Sequence, residues 1–203
     1  MESVDSILLI PGTMANCYDV NYNGVRYLID AGTKGTGKKL VSYFEEKKGK
    51  PDVVLITHYH PDHIGGLSLL KEKFNPKIFV PDGELDVVKG KSRIIPGKSM
   101  ISRLISKTAK IAPVDGAKPL SSFKGDGINV LETGGHTPDS RTFVFSSLKA
   151  VFPGDSALMK RNVPGFSRNF SLDHEKSAES LEKILNVHGT TCYPGHGAPF
   201  RIE

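Results

Sequence analysis

The stretch Thr57-His58-Tyr59-His60-Pro61-Asp62-His63 decides how this chain is read. Three imidazoles and one carboxylate stand within six residues, at His-x-His-x-Asp-His spacing. Residues two apart in extended backbone point the same way, so His58 and His60 can grip one ion. Pro61 then turns the chain. Asp62 and His63 fall at the start of a helix and can face a second ion beside the first. Imidazole together with carboxylate suits zinc, iron or manganese. Asp62 could instead serve only as a helix N-cap, for which its residue type is well suited. That reading leaves three clustered histidines without a purpose.

Working outward, an apolar strand over 53–56 runs directly into this turn, and three later segments repeat the form. Residues 128–131 lead through Gly134-Gly135 to His136. Residues 150–152 lead through Pro153-Gly154 to Asp155. Residues 190–193 lead through Pro194-Gly195 to His196. Loops at strand ends are where binding and catalytic groups concentrate, and glycine lets backbone approach closely there. Together these turns offer seven nitrogen or oxygen ligands: His58, His60, Asp62, His63, His136, Asp155 and His196. That is too many for one closed tetrahedral site. It suits two ions that share a carboxylate and keep positions open to water. Structural zinc sites are four-coordinate and commonly cysteine-rich, so a catalytic centre is the better reading.

The surrounding pattern is mixed α/β. Ser6–Ile10, 17–21 and Val25–Ile29 read as strands, the last two joined by the hairpin signal Asn23-Gly24. Helices are expected over 37–48, 64–74 and 173–188, with Ser171 and Asp173 as capping candidates for the last. Further strands are expected at Lys77–Val80 and 142–145. Hairpins mixed with helices in both halves predict a layered α/β sandwich rather than a doubly wound sheet. The 203 residues suit one domain. Two cysteines, Cys17 and Cys192, exclude a disulfide scaffold and a cysteine-built cluster. No apolar run is long enough to span a membrane, and the first residues lack the pattern of a secretory signal. A cytoplasmic protein is expected.

The net charge of +5 is unevenly spread. Residues 89–118 hold eight Lys or Arg against the single acidic residue Asp115. Met100, Ile101, Leu104, Ile105 and Ile111 fall near helical spacing, with Lys98, Arg103, Lys107 and Lys110 over much of the other face. The spacing predicts a helix with a solvated basic face, packed over the sandwich or closing over the metal site as a lid. Basic residues also attract phosphate backbones and membrane surfaces. Without Phe, Tyr or Trp to stack bases, the segment makes nucleic acid the less favoured partner and a small molecule the expected one.

The chain resembles the metallo-β-lactamase superfamily over essentially its whole length. The resemblance is carried by Asn16-Cys17-Tyr18, Leu28-Ile29-Asp30-Ala31-Gly32, the His-x-His-x-Asp-His run, Thr133-Gly-Gly-His136-Thr-Pro-Asp-Ser140, Gly154-Asp155-Ser156 and Tyr193-Pro-Gly-His196-Gly197. It implies an αβ/βα four-layer sandwich with metals at one edge between two sheets. It implies that His58, His60 and His136 hold one divalent ion, that Asp62, His63 and His196 hold another, and that Asp155 bridges them. Two ions are expected, zinc first, with iron or manganese as alternatives. Such a site activates water for hydrolysis of an ester, thioester or lactone, with Asp62 as an orienting group and proton shuttle. His174 and His188 match no ligand of the family. A glutathione thioester is not expected, since only 198–203 follow the last ligand turn. The tyrosine that related lactonases place after the bridging aspartate is absent from 156–170. Two other activities share the fold: a mononuclear-iron, persulfide-dioxygenase-like enzyme using His58, His136 and Asp155, and a metal-dependent phosphodiesterase or nuclease.

Overall fold

The computed structural model describes residues 4–109 and 111–203. Lys110, placed above on the basic face of the 89–118 segment, lies outside the described residues. The chain forms two compact units. One comprises the described residues of Met1–Ser92 and Lys110–Phe123, the other Arg93–Ala109 and Lys124–Glu203.

The first unit is a mixed sheet in the order β1-β2-β3-β4-β5-β6. Strand β1 (Ser6–Ile10) pairs antiparallel with β2 (Cys17–Tyr22), and β2 with β3 (Val25–Ile29). Asn23 and Gly24 at that second turn have φ of 49° and 74°, the paired positive values a two-residue hairpin requires. Helix α1 (Gly37–Glu46) then carries the chain to β4 (Val53–Leu55), which lies parallel to β3. All three residues of β4 are buried, as expected of a parallel strand covered on both faces. Helices α2 (Pro61–Ile64) and α3 (Leu67–Phe74) lead to β5 (Lys77–Val80), and α4 (Leu85–Val88) precedes β6 (Lys118–Pro119). Leu40, Val41 and Phe44 form the buried stripe of α1, and the Phe44 ring meets Phe74 edge-on at 6.0 Å.

The single helix expected over 64–74 is two helices. They meet at Gly65-Gly66, which lies on the turn after β3. A Cβ on Gly65 would stand 2.3 Å from the Lys34 nitrogen, and one on Gly66 2.3 Å from the Ala31 carbonyl oxygen. Only glycine lets the junction sit this close, and it is here that α2 ends and α3 begins.

The second unit is a sheet in the order β13-β12-β9-β8-β7. Its strands are β7 (Ile128–Glu132), β8 (Arg141–Phe145), β9 (Ala150–Gly154), β12 (Thr190–Pro194) and β13 (Phe200–Ile202). Strands β9 and β12 run parallel, so their ends point the same way. A separate hairpin joins β10 (Leu158–Lys160) to β11 (Val163–Gly165). Its turn residues Arg161 and Asn162 both have positive φ without a glycine, which is why the sequence gives little sign of it. Helix α6 (His174–Leu185) is capped by Asp173, whose carboxylate accepts from the Glu175 and Lys176 amides. Its Ile184 packs with Val144, Val151, Cys192, Phe200 and Ile202. Burying such a side chain contributes about 1.5–3 kcal/mol.

Helix α5 (Met100–Thr108) forms where the spacing predicts it, with Arg103 and Lys107 solvated as expected, but its apolar side is exposed as well. Ser102 is buried, while Met100, Ile101, Leu104 and Ile105 are exposed. The cause is local. The Ser99 hydroxyl accepts from the Ser102 amide, and the Ser102 hydroxyl accepts from the Gly97 amide at 2.7 Å, so the serine side is held inward. No helix of the described residues is long and apolar enough to cross a membrane.

Candidate metal centre

Each unit assembles its own set of candidate ligands, and both sets lie at strand ends. In the first unit the organising residue is Asp30, just beyond β3. Its backbone has φ 59°, a left-handed value that Asp tolerates better than most residues. Asp30 N–H donates to the Leu55 carbonyl, and Ala31 N–H to the His63 carbonyl, which ties this turn to the His-rich segment. The buried Asp30 carboxylate then accepts three bonds. Oδ1 takes the Thr57 amide at 2.8 Å, and Oδ2 takes the Thr57 hydroxyl at 2.8 Å and His63 Nδ1 at 2.7 Å.

These bonds determine which ring nitrogens carry protons. His63 Nδ1 faces a carboxylate and donates, leaving Nε2 as the lone-pair side. The Thr57 hydroxyl uses its one proton on Asp30, so it accepts from His58 Nδ1, 3.0 Å away. His58 Nε2 is therefore also a lone-pair side, and it faces His60 Nδ1 at 3.0 Å. The His58 and His63 ring centroids are 4.0 Å apart. Asp62 stands in the first turn of α2 with its Oδ2 3.9 Å from His63 Nε2. The N-cap position belongs to His60, so capping is not what Asp62 does. Tyr59 is buried against His60, a packing role rather than an open substrate contact.

In the second unit His136 follows β7, Asp155 follows β9 and His196 follows β12. The Gly195 amide donates to the Gly154 carbonyl and joins the last two turns. His136 Nε2 is 3.5 Å from Asp155 Oδ2, and His196 Nε2 is 3.7 Å from the same oxygen. One carboxylate oxygen thus stands between two imidazoles. The Ser171 hydroxyl donates to the Ser167 carbonyl at 2.8 Å and lies 3.4 Å from His136 Nδ1. By the argument used for His58, Nδ1 of His136 carries the proton and Nε2 is the lone-pair side.

The donor chemistry fits divalent metal ions. Donors about 2.0–2.1 Å from a tetrahedral ion stand about 3.4 Å from one another. The inward-facing pairs here, at 3.0, 3.5, 3.7 and 3.9 Å, bracket that spacing. Outer nitrogens held by oxygen partners are how proteins orient metal-binding imidazoles. His174 and His188 are engaged elsewhere, with the Arg168 and Glu203 carbonyls. Cys17 and Cys192 are buried free thiols, and burial pushes both upward from the ordinary thiol range.

Sequence reasoning singled out the seven donors but missed the groups that aim them. Thr57 was legible only as the neighbour of His58. Ser171 read as a capping candidate, whereas Asp173 makes the cap. A signal for Asp30 did exist: a carboxylate closing an apolar strand, two residues before a glycine.

A family model described as the metallo-beta-lactamase superfamily matches residues 10–196. An atrochrysone carboxyl ACP thioesterase of Aspergillus fumigatus is 30% identical over 198 residues, covering 93% of this chain and 53% of the relative. A hydroxyacylglutathione hydrolase of Brucella ovis is 29% identical over 146 residues, covering 71% of this chain and 48% of the relative. The chain therefore spans about half the length of these two curated relatives. Among solved structures, TTHA1623 in a di-iron-bound form is 25% identical, with a TM-score of 0.76 over 97% of this chain and 94% of that one. The B3 metallo-beta-lactamase BLEG-1 shares the fold at 21% identity, with a TM-score of 0.71 over 98% and 94%.

Proposed function

Because the chain belongs to the metallo-β-lactamase superfamily, whose fold it has, we propose that it is a metallohydrolase whose two ligand sets act as one dinuclear centre. His58, His60 and His136 hold the first ion, Asp62, His63 and His196 the second, and Asp155 both. The observation that carries this reading is the proton assignment. His58, His63 and His136 are each bonded through Nδ1 to an oxygen partner, which leaves Nε2 to the metal. The shared position of Asp155 Oδ2 supports a bridging role. On this reading both units belong to one catalytic domain.

Divalent ions in such a site lower the pKa of water toward neutrality and polarise the bond to be cleaved. The chain's own groups do the rest. Thr57 and Asp30 fix the His58 and His63 rings, and Ser171 fixes His136. Asp62 is partly exposed, so its carboxylate can take a proton from water entering the site and pass it to the leaving group. The substrate class is an ester, thioester or lactone. The relatives named as a thioesterase and as a hydroxyacylglutathione hydrolase support the thioester first. Zinc suits the donor set, and iron is a second reading favoured by the di-iron neighbour. Two cysteines left as thiols are in keeping with a cytoplasmic protein.

The test is metal analysis of protein purified without added metal, together with turnover of a simple acyl thioester, ester and lactone. Two ions per chain, turnover of at least one substrate, and loss of both metal and turnover in His60→Ala support the reading. One iron per chain retained in His60→Ala, with oxygen consumption, would replace it with the dioxygenase-like activity.

A further inference from the structure

Helix α5 is built inside out. An ordinary surface helix turns its apolar stripe to the protein and its polar face to water. Here the buried residue is Ser102, and the four large apolar side chains Met100, Ile101, Leu104 and Ile105 are exposed, at 85%, 61%, 64% and 42%. At 100° per residue these four cover an arc of about 140° on one side of the helix. Ile95, five residues before the helix, is also exposed.

The orientation is held in place. The serine side is tied through Ser99, Ser102 and Gly97 as described above. Gly97 itself lies against Phe170, where a Cβ would stand 2.4 Å from the Phe170 carbonyl oxygen. Backbone contact this close leaves the helix no room to roll and bury its apolar side. Isolated exposed aliphatics are ordinary, but a contiguous patch on a pinned helix marks an interaction surface.

Charge identifies the partner. Residues 93–109 carry Arg93, Lys98, Arg103 and Lys107, all exposed, and no acidic residue. On the helix, Arg103 and Lys107 follow the apolar arc along one flank. The segment has no Phe, Tyr or Trp, the residues that enrich protein–protein interfaces and that stack bases. An aliphatic stripe flanked by Lys and Arg is instead the composition of a helix that lies in the plane of a membrane, side chains among the acyl chains and cations at the headgroups. We propose that α5 seats this protein on the surface of an anionic lipid bilayer. The contact is peripheral, because nine residues of helix sit on a bilayer and do not span it. The proposal does not depend on the metal reading.

The experiment is co-sedimentation of the full chain with vesicles of phosphatidylcholine alone and of phosphatidylcholine mixed with phosphatidylserine. Binding is expected to be at least about 10-fold stronger on the mixed vesicles, since each cation near the surface adds attraction, and to fall steeply with added salt. The double variant Ile101→Ser with Leu104→Ser abolishes binding. Arg103→Glu with Lys107→Glu removes the preference for anionic lipid. All four positions are exposed, so circular dichroism should report an unchanged fold. Wild-type protein left in the supernatant with the mixed vesicles would overturn the proposal, as would binding that survives both double variants. Light scattering showing a dimer that Ile101→Ser with Leu104→Ser dissociates would assign the face to a second copy and overturn it too. Salt-sensitive retention on RNA without vesicle binding would do the same.

Discussion

The Asp30 carboxylate lies 2.7 Å from Nδ1 of His63, buried at the end of β3, on a residue whose backbone is left-handed. Asn also tolerates left-handed backbone, so Asp30→Asn keeps the turn while placing an amide where a charged acceptor stood. His63 loses the partner that fixes its proton on Nδ1. Loss of such an outer partner costs about 10–100-fold in metal affinity. Asp30→Asn is expected to lower metal affinity by that order in competition with a chelating dye, with the far-UV spectrum unchanged. An affinity equal to wild type would remove Asp30 from its positioning role.

The glycine junction between α2 and α3 yields a second expectation. A methyl group on Gly65 meets backbone atoms of Lys34, Pro61 and Thr33 at 2.3–2.6 Å. Backbone cannot move aside as a flexible side chain would, and overpacking of this kind typically costs about 1–3 kcal/mol. Gly65→Ala should therefore lower the thermal midpoint. Because the junction holds α2, with Asp62 and His63, against the turn after β3, it should also lower metal content. A variant with wild-type stability and metal content would contradict the tight approach.

A third expectation concerns alkaline pH. The Tyr43 hydroxyl donates to Asp19 Oδ2 at 2.9 Å, beside the Arg26–Asp19 ion pair at 2.6 Å. Burial, and then the bond to Asp19, push the Tyr43 phenol from 10.0 up to about 12. The folded state thus keeps the proton longer than the unfolded chain does. The stability this contributes is fully present below about pH 10 and is lost as pH rises towards about 12. Denaturant titrations should find wild type losing stability over that window. Tyr43→Phe, which has no such proton, should lose less over the same range. Identical slopes for the two proteins would exclude the coupling.

The buried thiols give a fourth. Cys17 and Cys192 are both fully inaccessible, and burial disfavours their thiolates. The thiolate is the reactive form. A chromogenic disulfide reagent should label neither cysteine in the native protein at neutral pH and both after unfolding in guanidinium. Rapid native labelling of either would show that its strand opens to solvent.

Much of this molecule was written in local pattern. The Asn23-Gly24 hairpin, the buried strand β4 and the stripe of α1 follow from rules that act over a few residues. So do the strand-turn-ligand segments that end in His136, Asp155 and His196. What escaped was set by contacts between distant segments. Asp30 meets His63 across 33 positions of sequence, and His136 meets Ser171 across 35. Local pattern marks Asp30 as a candidate, but it names neither partner. Helix α5 is instructive in the other direction. Its periodicity marked a helix correctly, but periodicity alone does not say which face turns inward. That was decided by two bonds, from the Ser102 amide to the Ser99 hydroxyl and from the Gly97 amide to the Ser102 hydroxyl.

The bonds that aim His58, His63 and His136 are all made between protein groups. The Asp30 turn is closed by Leu55, Thr57 and His63. This sets the order of events in the life of the molecule. A zinc finger must take up metal in order to fold. Because these bonds need no ion, the chain is expected to fold first and load afterwards. Protein stripped by a chelator should keep its secondary structure and regain metal on simple re-addition. On such a scaffold, the metal recovered with the protein is expected to follow the metal supplied during expression.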